Sequence, residues 1–316
     1  LDKAGYNAWR EFYVNDAGNQ IEKFGCSLEA RYLQIFKGDE IEFPEDGYQG
    51  EDSKDLAKEY ADLNGDSLVN VSAEERKKAL VDYALPKNIK KMQADMEKYK
   101  IFYDKWFFES ELHKSGAVKA VVDLLTEKGL TYEKEGAVWY KNKEVLTHKL
   151  LKEGKSQKYI DNLELKDDVL IRQNGNPTYF TADIAYHKNK FDRGFTTLID
   201  VWGADHHGHV MRMKGAMDAI GYDGDKLNVV LMQLVKLVKD GELVRMSKRT
   251  GKAIQLGDLL DEVPVDSARF LFNPKEANTQ MDFDLDLAVS QDNQNPVYYV
   301  QYAHARICSI FKSLAK

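Results

Sequence analysis

The sequence predicts an α/β protein, a parallel sheet with helices packed on it, and three stretches carry that reading. Residues 198–203 are an apolar run ending on glycine, and 229–238 are another, closed by Asp240-Gly241; both have the length of a buried strand rather than of a helix. Between residues 73 and 129, apolar positions such as Leu80, Ile89, Met92, Trp106, Leu112, Val121 and Leu125 recur at helical intervals between charged faces. With 316 residues, 43% of them hydrophobic and 31% charged, the chain can bury a large core as one domain with insertions or as two domains.

Composition excludes several classes of protein. No run approaches the roughly 18 apolar residues of a membrane span, and the start lacks a basic segment followed by an apolar one, so a cytoplasmic protein is expected. Cys26 and Cys308 lie at opposite ends with no Cys-x-x-Cys spacing, which argues against a disulfide framework or a zinc ribbon. At a net charge of -7, a nucleic-acid partner would have to be held by local basic patches.

Taken in order, residues 5–14 read as a turn into a strand, and Asn15, Asp16 and their neighbours to Gln20 as the cap of a helix. Opening on Leu1, the sequence reads as cut from something longer. Residues 62–66 begin like a calcium loop. Ser67 stands where that loop needs glycine and Ala73 where it needs glutamate, so a solvated insertion is expected instead. Pro86 should separate two helices. Residues 137–140 and 169–172 are short strands, the second followed by an Asn174-Gly175 hairpin turn.

Three later stretches carry chemistry. Tyr179 and Asp183 are four residues apart; on a helix beginning near Thr181 they would direct a phenol and a carboxylate into one cleft, and the carboxylate suits a guanidinium or ammonium group. Thr181 as a cap, with Asp183 paired to the helix dipole, accounts for the same residues. After residue 198 the apolar strand runs into Gly203, which lets backbone approach a nucleotide, and Asp205, which can take ribose hydroxyls. Asp205, His206 and His209 could ligate a metal, but adjacent histidines diverge on a helix and no HExxH glutamate is present; imidazoles facing phosphates fit better. A helix then ends at Gly221.

The third stretch is Met246-Ser247-Lys248-Arg249-Thr250-Gly251. At the carboxyl edge of a sheet, Lys248 would act as a point charge on phosphate oxygens and Arg249 as a fork, with Ser247 and Gly251 admitting the backbone; a solvated basic turn would read the same way. Residues 256–263 are a short helix closed by Pro264, and 265–272 begin another. Residues 281–287 alternate as an edge strand with three aspartates on its wet face. From Pro296 an aromatic-rich helix has an apolar side without a partner in the chain.

The segments FYVNDAGNQI, GAVWY, PTYFTADIAYHKNKF, DVWGADHHGHV, RMSKRTGK, DFDLDLA and NPVYYVQYAHARICSI together resemble arginyl-tRNA synthetase, a class I aminoacyl-tRNA synthetase, in family order over nearly the whole length. The resemblance implies a Rossmann-type catalytic domain in residues 1–37 and 136–285, a mostly helical insertion in 38–135, and the start of a helical anticodon-binding domain in 286–316. It implies two steps: arginine attacks the α-phosphate of ATP, and tRNA(Arg) then takes the aminoacyl group. Lys248, Ser247 and Arg249 would be catalytic, Arg249 replacing the serine of the general class I loop. Gly203, Asp205, His206, His209 and Met246 would bind ATP, and Tyr179, Asp183, Asn15 and Asp16 arginine. ATP with Mg2+ would be a substrate, no metal would be held by the protein, and a cytoplasmic monomer is expected. The class I His-x-Gly-His signature, the residues holding the substrate α-amino group and the anticodon-reading domain are missing from this sequence, so the chain alone is expected to aminoacylate little or not at all. The remaining alternatives are an ATP- or arginine-binding module without catalysis and another Rossmann-fold nucleotidyltransferase.

Overall fold

A computed structural model describes residues 1–244 and 254–315. In chain order they form β1 (Glu11–Val14), α1 (Gly18–Lys37), α2 (Glu51–Asn64), α3 (Ala73–Lys98), β2 (Lys105–Phe108), α4 (Glu109–Lys114), α5 (Ala117–Glu127), β3 (Thr131–Lys134) and β4 (Ala137–Tyr140). Then follow α6 (Asn142–Lys152), α7 (Gln157–Asp161), β5 (Asp168–Ile171), α8 (Tyr179–Asp192), β6 (Leu198–Gly203), α9 (His207–Ile220), β7 (Leu227–Met232), β8 (Val235–Lys239) and β9 (Glu242–Val244). The chain closes with α10 (Leu256–Glu262), α11 (Val265–Phe272), β10 (Met281–Asp284), α12 (Leu285–Val289) and α13 (Pro296–Leu314). The α/β class holds, with parallel strands in two separate pairs, β1-β2 and β6-β7. No helix of the described residues is long and apolar enough to cross a membrane.

The chain divides into two compact units, one of residues 1–108, 235–275 and 282–316, the other of 109–234 and 276–281. In the first, α1, α2 and α3 close on a core of Leu28, Tyr32, Leu33, Ala57, Ala61, Leu80 and Ala84. The turn between α2 and α3 is fixed by side chains from the helices: the Tyr32 hydroxyl donates to the Gly65 carbonyl at 2.8 Å and accepts from the Leu68 N–H at 3.1 Å. Buried Arg76 donates to the carbonyls of Leu68 and Val71 at 2.8 and 2.7 Å and to Glu29 at 2.6 Å. Ser72 starts α3 by accepting the Glu75 N–H.

Contrary to expectation, α3 runs through Pro86. Proline removes one helix hydrogen bond, at a cost of about 3 kcal/mol. Leu80 and Ala84 before it and Ile89 after it are all buried, and that packing holds the two halves in one helix. A second correction concerns Trp106, counted above among helical positions: it lies in β2, which pairs in parallel with β1 from Glu11 opposite Lys105 to Val14 opposite Phe108. The aromatic run favours a pleated surface, and Trp106 stacks on Phe12 at 4.7 Å. The N-cap of α1 falls within the stretch 15–20 read as its cap, at Ala17, which makes no side-chain hydrogen bond there.

The run 229–238 is two strands rather than one. β7 pairs in parallel with β6, whereas β8 turns at Asp240-Gly241 into antiparallel β9, and Leu234 between them is 88% exposed. Asp240 and Gly241 have φ of 53° and 76°, the left-handed pair that a two-residue hairpin requires. β9, which ends at Val244, therefore belongs to an antiparallel hairpin in the sheet β10-β8-β9, not to the parallel pairs. β10 is an edge strand as expected, but its alternation stops at Asp284, which caps α12 by accepting the Leu287 N–H at 2.9 Å. On α13, Tyr299, Ile307, Ile310, Phe311 and Leu314 are exposed.

The second unit contains the antiparallel sheet β3-β4-β5 and the parallel pair β6-β7, in register from Leu198 opposite Leu227 to Gly203 opposite Met232. Its core is filled by Leu146, Leu170, Ile184, Met213 and Met217, all almost fully buried. Thr181 is not the cap of α8, which begins two residues earlier; its buried hydroxyl donates to the Leu170 carbonyl at 2.8 Å and ties the helix to β5. Gly224 meets the Lys214 carbonyl so closely that a Cβ would sit 2.3 Å from that oxygen, which fixes the turn from α9 into β7.

Candidate functional site

The end of β6 positions the candidate site, which lies within the second unit. After Gly203 a single turn at 204–206 leads into α9, with His206 as its N-cap, so the first N–H groups of a 14-residue helix open at the carboxyl end of a parallel strand. That is where α/β folds present backbone donors and dipole charge to anions. Asp205 is 82% exposed and folds back over Gly203: a Cβ at that position would lie 2.4 Å from its Oδ1. His206 is also exposed, with Nε2 3.7 Å from Asp205 Oδ2.

Asp183 comes from α8, and its carboxylate is one-third exposed. His209, in the first turn of α9, places Nε2 3.0 Å from Asp183 Oδ2. The His209 ring is wedged between Trp202 of β6, at 5.2 Å, and Phe180 of α8, at 5.6 Å. Arg212, one turn further on, lies over the Phe180 ring at 4.8 Å and is held by both oxygens of Asp168. Burial raises the Asp168 carboxyl above its ordinary range, with Arg212 opposing.

Behind this surface is a charged network that sequence reasoning missed. His187 Nδ1 lies 2.6 Å from the Asp183 carbonyl and Nε2 against Asp200, while Lys190 donates to the other Asp200 oxygen at 2.7 Å. Both imidazole nitrogens face acceptors, an arrangement that an imidazolium satisfies with its two N–H groups. Burial alone would raise the Asp200 carboxyl, but the charges and hydrogen bonds of His187 and Lys190 outweigh it and hold the group well below the usual carboxylate range. A signal was present: Asp200 interrupts an apolar strand, and a buried carboxylate demands partners.

Of the residues singled out from the sequence, Asp183 and His209 come into contact, and Gly203, Asp205 and His206 share the strand end. Tyr179, at the start of α8, is 42% exposed one turn before Asp183. Asn15 and Asp16 belong to the other unit, in the turn between β1 and α1, where the Asp16 N–H donates to the Val14 carbonyl at 3.0 Å. Met246, Ser247, Lys248 and Arg249 lie outside the described residues.

Known proteins resemble this chain over nearly its whole length. An arginine-tRNA ligase of Ruminiclostridium cellulolyticum is 57% identical over 316 residues, covering 99% of this chain and 53% of its own length. One from Caldanaerobacter subterraneus subsp. tengcongensis is 58% identical over 315 residues with the same coverage, so the chain spans about half the length of the curated relatives it matches. A solved chain assigned as an arginyl-tRNA synthetase of Campylobacter jejuni aligns at a TM-score of 0.82 and 37% identity, over 99% of this chain and 64% of that one. The Thermus thermophilus arginyl-tRNA synthetase, 20% identical, shares the fold at a TM-score of 0.68, over 100% of this chain and 59% of its own. The family model described as tRNA synthetases class I (R), catalytic domain, matches residues 1–308, and with that extent of agreement the chain belongs to this family.

Proposed function

We propose that this chain is the catalytic part of an arginine-tRNA ligase, which joins arginine to ATP as an adenylate and passes it to tRNA(Arg). One observation carries the reading: a partly exposed carboxylate, Asp183, lies next to a strand end built from Gly203, Asp205 and the N-terminus of α9. The first suits a guanidinium and the second a nucleotide. On this reading Tyr179 and Asp183 receive the arginine side chain, and Gly203, Asp205 and His206 the adenosine. The arginine carboxylate attacks the α-phosphate of magnesium-bound ATP, the bond to the β-phosphate oxygen breaks, and pyrophosphate leaves. Lys248 and Arg249, in the segment that also carries Met246 and Ser247, supply positive charge as negative charge develops on the pyrophosphate leaving group. Reaction with tRNA(Arg) goes with a cytoplasmic location.

Exchange of labelled pyrophosphate into ATP, run on the full-length form with and without tRNA(Arg), tests the proposal. Exchange that depends on arginine is expected. Exchange that proceeds equally without arginine would identify a different nucleotidyltransferase, and ATP or arginine binding with no exchange under any condition would leave a binding module.

A further inference from the structure

The contact between His209 and Asp183 gives His209 a different task from the phosphate contact expected of it. We propose that His209 is a positioning residue for the guanidinium-binding carboxylate, holding Asp183 by Nε2–H so that its second oxygen is presented to the substrate. The inference rests on the arginine site proposed above.

Three features of the geometry support it. An aspartate one-third exposed on a helix can turn about two side-chain bonds, and a fixed donor at 3.0 Å on Oδ2 removes most of that freedom before substrate arrives. The donor is itself held, because the His209 ring packs between Trp202 and Phe180. The neighbouring cation does not compete, since the Arg212 guanidinium is engaged by both oxygens of Asp168. Among the described residues Asp183 Oδ1 has no hydrogen-bond partner, and it is the atom left for an incoming N–H. On the backbone side, His187 meets the Asp183 carbonyl at 2.6 Å, so this turn of α8 is anchored as well as its side chain.

The test is steady-state kinetics of the full-length enzyme with three variants. His209→Phe keeps the ring packing and removes the donor. His209→Gln places an amide N–H where Nε2 stands, and Asp183→Asn removes the carboxylate. The expected pattern is an arginine KM raised roughly tenfold or more in His209→Phe, with kcat and the KM for ATP little changed, and recovery of most of that loss in His209→Gln. If His209→Phe raises the KM for ATP and leaves that for arginine unchanged, His209 is a nucleotide contact and the inference fails. It fails equally if all parameters fall together in both His209 variants, because a merely structural role would not be rescued by glutamine. If Asp183→Asn leaves the arginine KM unchanged, the arginine-site reading itself is wrong, whatever the His209 variants do.

Discussion

The α1–α2–α3 core and the layer formed by α8, β6 and α9 both enclose buried polar groups, and they satisfy them in opposite ways. In the first, Tyr32 and Arg76 direct most of their hydrogen bonds to backbone groups of residues 65–71, so the polar atoms close a turn over an apolar core. In the second, charged side chains pair chiefly with one another: Asp200 with His187 and Lys190, Asp168 with Arg212, and Asp183 with His209. Buried ion pairs add little net stability over apolar packing, because desolvation consumes most of the Coulombic gain. Their concentration around one partly exposed carboxylate therefore points to a site whose geometry is held at some expense in stability, whereas the helical core of the first unit has the economy of a scaffold.

The contrast breaks most visibly at Asp200. Asp200→Asn leaves His187 and Lys190 without their countercharge, and a loss of about 3–5 kcal/mol in urea unfolding is expected. The native Asp200 carboxyl is held below its usual range, so its contribution is fully present above the unfolded value of about 4 and is lost as pH falls through the folded one. The gap between wild type and Asp200→Asn should accordingly be constant between about pH 5 and 6 and narrow below about pH 4; a gap that widens in acid would show that the pair is not ionic. A smaller effect is expected in the other region. Tyr32→Phe leaves the Gly65 carbonyl and the Leu68 N–H without their partner, and about 1–3 kcal/mol should be lost with no steep dependence on pH over the same range.

Much of the second region was legible because its signals are local. The run into Gly203 gave β6, Gly221 marked the end of α9 with its left-handed φ of 102°, and the four-residue interval between Tyr179 and Asp183 put both on one helix. What escaped depends on contacts distant in sequence. β2 is four residues between helices, and only its pairing with β1, some ninety residues earlier in the chain, makes it a strand. Pro86 stays within α3 because buried neighbours on both sides outweigh its local preference. The run 229–238 reads as continuous since apolar spacing does not reveal where a strand changes partners; Leu234, exposed between β7 and β8, is the break. The link between Asp183 and His209 spans 26 residues and two helices, and no local pattern encodes it.

The guanidinium assignment of Asp183 is the claim on which the functional account depends, and calorimetric titration of the full-length protein with arginine and with citrulline tests it most directly. Citrulline keeps the shape of arginine and lacks its charge. Arginine should bind about a hundredfold more tightly, the scale of a charge-assisted hydrogen bond, and Asp183→Asn should abolish most of that preference. Equal affinities for the two ligands in the wild-type protein would contradict the account.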